Sequence, residues 1–587
     1  MNIINGIRYT MDENTAVIYL HQELFNQEAL FLFAYDTSED YLIYLDKENN
    51  DNKLFITPKK NQQIDIKSII NQINDHQLRY ELNKKTAHLR DVIVEYAFGK
   101  KKLLNETYQP ILPFTFKRLN DSTVLVVSYA GEFLFLSTEV FAAITTNQLA
   151  TEESVKYDLI QKNILPETDI NLSLNLIATK YRSRKAFLRD FTSLHMIVIT
   201  KGCNCNCRYC QVSSSPFGSE EIHMTQRTAK RVVDMIFSSP SPRIKIEFQG
   251  GEPLLNWKAL KYIVDYSYML NKIHHKQLNF VLCTNLTLID DSMINYLKEK
   301  NIGISTSLDG PKDIHDQNRP LRNGQSSYDL FIDNLNRIRK TIGQETCSPL
   351  VTITKESLPR LREIIDEYRT LGFNGIFLRP VNPYGNARNE WDALSCNVEE
   401  YLKHYKDAIA YILELNLKGE YFVEYFSMLL LARILTPFST GFVDLQSPSG
   451  IGISGVIYDY NGDVFPSDEA RMLARTGDHI FKLGNVYKNS YDEIFYGKKL
   501  KELIKTTILE GTPGCSTCVY QAYCGTDPVR NYVESGRITG HHPFSEFCKK
   551  NQGIFNYLFE LIGSNNQAIM DVFWSWVTHR ELQEVRL

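Results

Sequence analysis

The stretch Ile199-Thr-Lys-Gly-Cys-Asn-Cys-Asn-Cys-Arg-Tyr-Cys-Gln211 follows directly on the apolar run Leu194 to Ile199 and spaces Cys203, Cys207 and Cys210 as Cys-x3-Cys-x2-Cys. Three thiolates from one short loop hold three irons of a [4Fe–4S] cube and leave the fourth iron open to an exogenous ligand, whereas electron-transfer clusters usually take four cysteines. The spacing therefore points to a reactive cluster at a strand end. Cys205 fits neither interval and is read as unligated, with Cys205-Cys207-Cys210 as the alternative set.

Outward from this loop, short apolar runs alternate with amphipathic ones as far as about Cys396. Strands are expected at Leu194–Thr200, Arg243–Gln249, Leu278–Thr284, Ile302–Leu308, Pro349–Thr354 and Gly375–Pro380. Between them, helices are expected at Thr225–Phe237, Trp257–Ile273, Asp291–Lys300, Tyr328–Ile342 and Leu358–Leu371. Such alternation means βα units on a parallel sheet. The fold class is α/β, and six units fit a partial (β/α)6 barrel, with functional residues gathered at the C-terminal ends of its strands.

The cysteine spacing, with Tyr209 before the last cysteine, resembles the signature of the radical S-adenosylmethionine (SAM) superfamily. That resemblance implies that SAM chelates the open iron through its amine and carboxylate. One electron then cleaves the C5′–S bond, and a 5′-deoxyadenosyl radical abstracts a substrate hydrogen. The cofactor carries the hard step, and the protein orients it and excludes water.

The second strand leads into Gln249-Gly-Gly-Glu-Pro-Leu254, where Gly250 and Gly251 let backbone approach a ligand, followed by Glu252 and the turn-fixing Pro253. Alone this reads equally as a βα turn; beside the cysteine loop it resembles the motif whose backbone and Glu bind the SAM ammonium. The third strand ends at Thr284 and Asn285, and the fourth carries Ser305, Ser307 and Asp309 before Arg319. In relatives such residues bind ribose hydroxyls or the SAM carboxylate, for which Arg319 is suited as a bidentate partner. Ser305 and Asp309 are equally suited to capping the next loop. Arg379, ending the sixth strand, is a further candidate for the cofactor's polar end.

A second set, Cys515, Cys518, Cys524 and Cys548, suits a four-thiolate zinc site on spacing alone. It also resembles the SPASM extension of peptide-modifying radical SAM enzymes, which normally holds two auxiliary clusters. The positions matching ligands of the nearer cluster are Ser467 and Pro528, so the resemblance implies one auxiliary [4Fe–4S] cluster with full ligation by these four cysteines. Loss of the nearer cluster is expected to leave space beside the SAM site. Asp468 stands where sulfatase-maturing relatives carry a catalytic carboxylate, with a solvated loop Asp as the alternative.

Phrases such as Ile376-Phe-Leu-Arg-Pro-Val-Asn-Pro-Tyr-Gly385, Ser467-Asp-Glu-Ala-Arg-Met-Leu473 and Cys524-Gly-Thr-Asp-Pro528 resemble the His-Xaa-Ser system radical SAM maturase of the HxsB type, over about residues 109–560. Asn71-Gln-Ile-Asn-Asp-His-Gln-Leu-Arg-Tyr80 and Thr86-Ala-His-Leu-Arg90 resemble the HxsD protein of the same system. The expected organisation is an HxsD-like α+β accessory module at 1–108, an N-terminal maturase segment at 109–185, the barrel at 186–395, a helical linker at 396–440 and a SPASM-like domain at 441–587. In the first module, strand-like runs lie at Ala16–Leu20, Leu30–Tyr35 and Tyr41–Leu45, before a helical pattern over Ile66–Phe98.

The family implies a ribosomal precursor peptide as substrate, with a flavodoxin- or ferredoxin-like electron donor and a second radical SAM protein of the system as partners. The leader would bind by strand addition to residues 1–185. Two other readings stay open: a formylglycine-forming sulfatase maturase, and a non-catalytic metal-binding scaffold delivering a peptide to a partner enzyme. The 587 residues exceed the ~250–300 that one core supports. A net charge of −4 gives no basic field for nucleic acid or membrane. The start of the chain lacks a basic region followed by an apolar one, and Tyr421 to Leu435 is interrupted by Glu424 and Arg433, so neither secretion nor membrane spanning is expected. Seven of eleven cysteines fall in the two sets, which favours metal binding in a reducing cytoplasm over disulfides.

Overall fold

The computed structural model describes all residues except 13, 61, 101–110, 147, 149–152, 168, 190, 213–214, 217–221 and 587. The expected module boundary near 108–109 lies outside the described residues.

Six parallel strands form the barrel, in the order Leu194–Thr200, Arg243–Gly250, Gln277–Cys283, Ile302–Ser307, Cys347–Ile353 and Leu378–Pro380. Their apolar side chains, among them Ile197, Ile246, Phe248, Leu282, Ile304 and Ile353, are buried in the main core. Along strands such as Arg243–Gly250, Ile302–Ser307 and Cys347–Ile353 buried residues alternate with less buried ones, a period of two that the sequence carries. The helices between them begin at the capping residues the pattern offers: Thr225 accepts from Thr228 N at 3.1 Å, and Asp290 from Met293 N at 2.8 Å.

Two features go beyond the expected six units. The sixth strand is broken at Phe377: Gly375–Ile376 pairs with Val423–Glu424, and Leu378–Pro380 pairs with Cys347–Ile353. Glu424, fully buried, fills the break by accepting from Leu378 N, Phe426 N and Ser427 N and from the Tyr405 hydroxyl. The sheet also continues past its first strand. Gly455–Tyr458 runs parallel to Leu194–Thr200, and Asp463–Phe465 and Gly484–Asn485 follow antiparallel, so the C-terminal region is bonded to the barrel backbone.

The N-terminal module is an antiparallel sheet ordered Asn2–Ile4, Ile7–Asp12, Thr15–His21, Asp51–Pro58, Tyr41–Glu48, with its own core around Ile18, Phe33, Ile56 and Ile70. Leu30–Tyr35, expected as a strand, lies in the helix Gln27–Asp36, which starts where the Asn26 side chain accepts from Glu28 N at 2.8 Å. The 32-residue helix Ile66–Ala97 enters this core with Ile66, Ile69, Ile70 and Ile73. Its second half leaves it, Leu82 packing with Phe116 and Val126 and Leu89 with Leu174 and Ile177, so one helix ties the module to the segment that follows. Among the described residues no helix is long and apolar enough to cross a membrane.

Candidate functional site

At the C-terminal ends of the strands lies a cavity of about 340 Å³, lined by Cys203, Cys205, Cys207 and Cys210. The loop that carries them is held from two sides. Residues 318–322 receive it through Asn206 N to Pro320 O at 2.8 Å, Arg208 N to Asn318 O at 3.1 Å and Arg322 N to Asn204 O at 2.9 Å. At its far end Asn386 N donates to Cys210 O at 2.9 Å. The neighbouring Gly385, at φ +56°, brings its backbone so close to the Gln211 carbonyl that a Cβ would overlap it.

Gly250 and Gly251 approach the same loop. A bulge between Gln249 and Gly250 turns the strand end inward, and Gly251 N and Glu252 N donate to Thr200 O and Gly202 O at 2.9 and 2.7 Å. A Cβ on Gly250 would meet Thr200 O at 2.6 Å, and one on Gly251 would overlap the Gly202 carbonyl. Gly251→Ala is therefore expected to displace the cysteine loop, at a cost of about 1–3 kcal/mol of overpacking. Thermal melting together with iron content after reconstitution checks this; an unchanged melt with full iron would contradict it.

Of the cofactor-binding candidates, Tyr209, Gly250, Gly251, Thr284, Asn285, Ser305, Ser307, Arg319 and Arg379 line the cavity, as does Asp468. Glu252, Pro253 and Asp309 do not; they stand behind its wall. Glu252 is fully buried, and its carboxylate accepts from Thr284 Oγ1 at 2.7 Å, Asn285 N at 2.8 Å and Leu254 N at 3.0 Å. These contacts pin the glycine turn to the third strand. Asp309, also fully buried, accepts from the Tyr209 hydroxyl and Thr352 N and pairs with Arg319 Nε at 3.3 Å. It positions Tyr209 and Arg319, whose guanidinium lies 5.3 Å from the Tyr209 ring centroid.

Cys205 sits among the other thiols, and Asn285 Nδ2 donates to its sulfur at 3.2 Å. Hydrogen bonds to Cys203 and Cys207 hold the Cys205 thiol protonated, its pKa raised, whereas that bond, ahead of the Arg319 guanidinium, lowers Cys207 against the effect of burial. Glu247, Gln249 and Thr352, also on the cavity wall, escaped the sequence reading. The signal for the first two was present: polar residues at alternate positions of an otherwise apolar strand face the same side.

Asp468 opens the helix Asp468–Ala474, which Ser467 caps by accepting from Ala470 N at 3.2 Å. Its Oδ1 is buried without a hydrogen-bond partner, as is Thr306 Oγ1 elsewhere in the wall. Burial and the adjacent Glu469 push the Asp468 carboxyl up to about 7, so it is a half-buried acid facing the cavity. Unpartnered polar atoms, a glycine-lined backbone and soft thiols in one cavity fit SAM and an iron–sulfur cluster.

Cys515, Cys518, Cys524 and Cys548 line a second cavity of about 280 Å³. Burial raises all four thiols, with Cys524 at about 11 and Cys548 at about 12, as expected where thiolates need a metal to be stable. Arg433 fixes the intervening turn by donating from Nε to Tyr523 O at 2.6 Å and from Nη2 to Ala522 O at 3.0 Å. Among the described residues no three His, Cys, Asp or Glu side chains close around a single-ion position.

Beside Ser467 the SAM-side cavity reaches Asp468 and Met472, and a further, smaller space lies by Asp527 and Glu469. Ser467 and Pro528 both begin helices, and Asp527 caps the second by accepting from Val529 N and Arg530 N, each at 3.0 Å. The smaller space is about 50 Å³, room for a few waters, lined by Asp444, Glu469 and Asp527 against Arg379, Arg530 and Lys550. Burial raises Asp444 to about 6 and Asp527 to about 8 and lowers Lys550 to about 8. Arg379 pairs with Glu469 across this space at 3.8 Å.

A partial βα barrel with an open three-cysteine loop at its strand ends defines an iron–sulfur enzyme. The chain belongs to the radical SAM superfamily, whose sequence profile matches residues 197–368, and it therefore works with SAM and a [4Fe–4S] cluster; at its N-terminal end it carries a module matched over residues 20–104 by the His-Xaa-Ser system protein HxsD. It is 30% identical over 211 residues to an uncharacterised protein of Methanocaldococcus jannaschii, covering 36% of this chain and 69% of that one. It is 23% identical over 374 residues to the cysteine-type anaerobic sulfatase-maturating enzyme of Clostridium perfringens, covering 61% and 94%. The solved structure of anSMEcpe with bound AdoMet and the Cp18Cys peptide shares the fold, with a TM-score of 0.54 and 21% identity over 64% of this chain and 99% of that one.

Proposed function

We propose that this chain is a cytoplasmic peptide maturase of the HxsB type with its HxsD-like accessory module in cis, acting on a ribosomal precursor peptide and forming a cross-link. The observation that carries this reading is the pairing of a three-cysteine cavity with a four-cysteine cavity, with Ser467 and Pro528 at the nearer-cluster positions. Cys203, Cys207 and Cys210 would hold the reactive cluster, and Cys515, Cys518, Cys524 and Cys548 one auxiliary cluster.

When bound and reduced by a flavodoxin- or ferredoxin-like donor, SAM supplies a 5′-deoxyadenosyl radical able to abstract a substrate hydrogen. The chain's own residues set the stage. Gly250 and Gly251 offer backbone to the cofactor, Ser305, Ser307 and Thr284 offer hydroxyls, and Arg319 and Arg379 offer charge to a carboxylate. Asp468, facing the same cavity, accepts a proton from the substrate. The peptide enters over the mouth of the SAM cavity. Its leader is suited to the terminal strand Tyr41–Glu48, where Leu42 and Tyr44 are exposed.

A formylglycine-forming sulfatase maturase is the second reading, favoured by the position of Asp468 and by the sulfatase-maturating relatives. Mass spectrometry of a precursor peptide co-expressed with the chain separates the two. A loss of hydrogens with an intramolecular link, absent with Cys203→Ala, is expected; a Cys-to-formylglycine change in a sulfatase peptide instead would overturn the first reading.

A further inference from the structure

The second cysteine cavity is closed by the N-terminal module. Asp36, at the end of the helix Gln27–Asp36, and Arg79, in the helix Ile66–Ala97, line it beside the four cysteines, together with Lys117 from the next segment. The module is fastened there by several contacts. The Tyr35 ring meets His541 edge-on at 4.6 Å, and its hydroxyl accepts from His542 N at 3.3 Å. Glu39 pairs with Lys549, next to Cys548, at 2.5 Å, and Asp75 pairs with Arg118 at 2.8 Å.

Two cations therefore face the cysteines. Lys117 Nζ lies 5.4 Å from the Tyr520 ring centroid and donates to Asn556 Oδ1 at 2.7 Å. The Arg79 guanidinium stacks 4.9 Å from the Phe116 ring centroid, and its Nε is buried without a hydrogen-bond partner. A buried, unpaired Arg N–H costs stability unless an acceptor is supplied. Four thiolates on a [4Fe–4S] core leave a net anion, more negative once reduced, and its sulfur atoms accept hydrogen bonds; nearby charge and such bonds set the potential.

We propose that Arg79 of the fused accessory module, assisted by Lys117, is a positioning and potential-setting residue of the auxiliary cluster, which makes the module part of the electron-transfer centre as well as a carrier of peptide. This rests on the reading that the four cysteines hold a cluster. A cation in a low-dielectric wall favours the reduced, more negative state, so its removal makes the cluster harder to reduce.

The test uses the full chain with Cys203, Cys207 and Cys210 changed to alanine, so that only auxiliary iron remains, and reads the midpoint potential by titration monitored with electron paramagnetic resonance. Arg79→Met is expected to shift the reduction equilibrium about tenfold toward the oxidised form, ~59 mV for a one-electron couple, whereas Arg79→Lys stays near the parent value. Lys117→Met is expected to move it in the same direction. An Arg79→Met protein with full iron and an unmoved midpoint would overturn the inference. If Arg79→Met loses its iron and Arg79→Lys keeps it, the charge is needed to retain the cluster, in support. If both lose it, an unmoved midpoint in Lys117→Met overturns the proposal and a lowered one supports it. A parent protein that binds zinc or no iron in this background fails the cluster reading itself, a result distinguishable from all of these.

Discussion

Changing Cys203, Cys207 or Cys210 to alanine is expected to lower the reductive cleavage of SAM by about 10³-fold or more, equivalent to ~4 kcal/mol of barrier, because each removes one of three protein ligands to the reactive cluster. Cys205→Ala is expected to fall less than about tenfold. Its backbone N donates to Cys203 Sγ and its sulfur accepts from Asn285 Nδ2, so loss of the thiol perturbs the loop without removing a ligand. The readout is 5′-deoxyadenosine formed from SAM under a strong reductant, measured beside iron content. An active Cys203→Ala protein with an inactive Cys205→Ala protein would transfer the ligand set to Cys205, Cys207 and Cys210.

Asp468→Asn is expected to reduce peptide modification by ~10²–10⁴-fold while SAM cleavage continues, the range for a lost general base. The sign of the pH dependence follows from the raised carboxyl. Burial and Glu469 hold Asp468 at about 7, so below that pH it is protonated and unable to accept a proton, and the wild-type modification rate should rise through pH 7. In Asp468→Asn the rise should vanish, and uncoupled 5′-deoxyadenosine formation should vary little over the same range. Equal modification rates in the two proteins would remove Asp468 from the chemistry.

Most of the barrel was legible in the sequence because buried residues alternate along strands such as Arg243–Gly250 and Cys347–Ile353 and its helices begin at Thr225, Asp290 and similar caps. Leu30–Tyr35 misled for the complementary reason. Ala29-Leu-Phe-Leu-Phe-Ala34 is apolar without interruption, so its period does not distinguish strand from helix, and only the Asn26 cap decides. At the site, a motif reveals which residues share a loop and not which way each side chain turns. Glu252 and Asp309 stand in the right phrases yet face inward, where three backbone and hydroxyl donors claim the first and Tyr209, Thr352 and Arg319 claim the second.

Missing cysteines at Ser467 and Pro528 were visible in the sequence; the charged groups around the smaller space nearby were not. Asp444, Glu469, Asp527, Arg379, Arg530 and Lys550 come from five separate stretches of chain, and no local pattern couples them. The same holds for Asp36 and Arg79 against Cys515 and Cys548. Contacts across such separations are properties of the folded chain, and they give the N-terminal module a place at the auxiliary centre that its resemblance to a separate protein does not suggest.

One reactive cluster and one auxiliary cluster in a single SAM-cleaving chain fix both the metal content and the reaction of the protein. Anaerobic reconstitution of the full-length protein, with iron, zinc and 5′-deoxyadenosine measured on the same sample, tests both most directly. About eight irons per chain, no bound zinc and 5′-deoxyadenosine on reduction are expected. About four irons with zinc at the C-terminal set, or no cleavage of SAM at full iron loading, would contradict it.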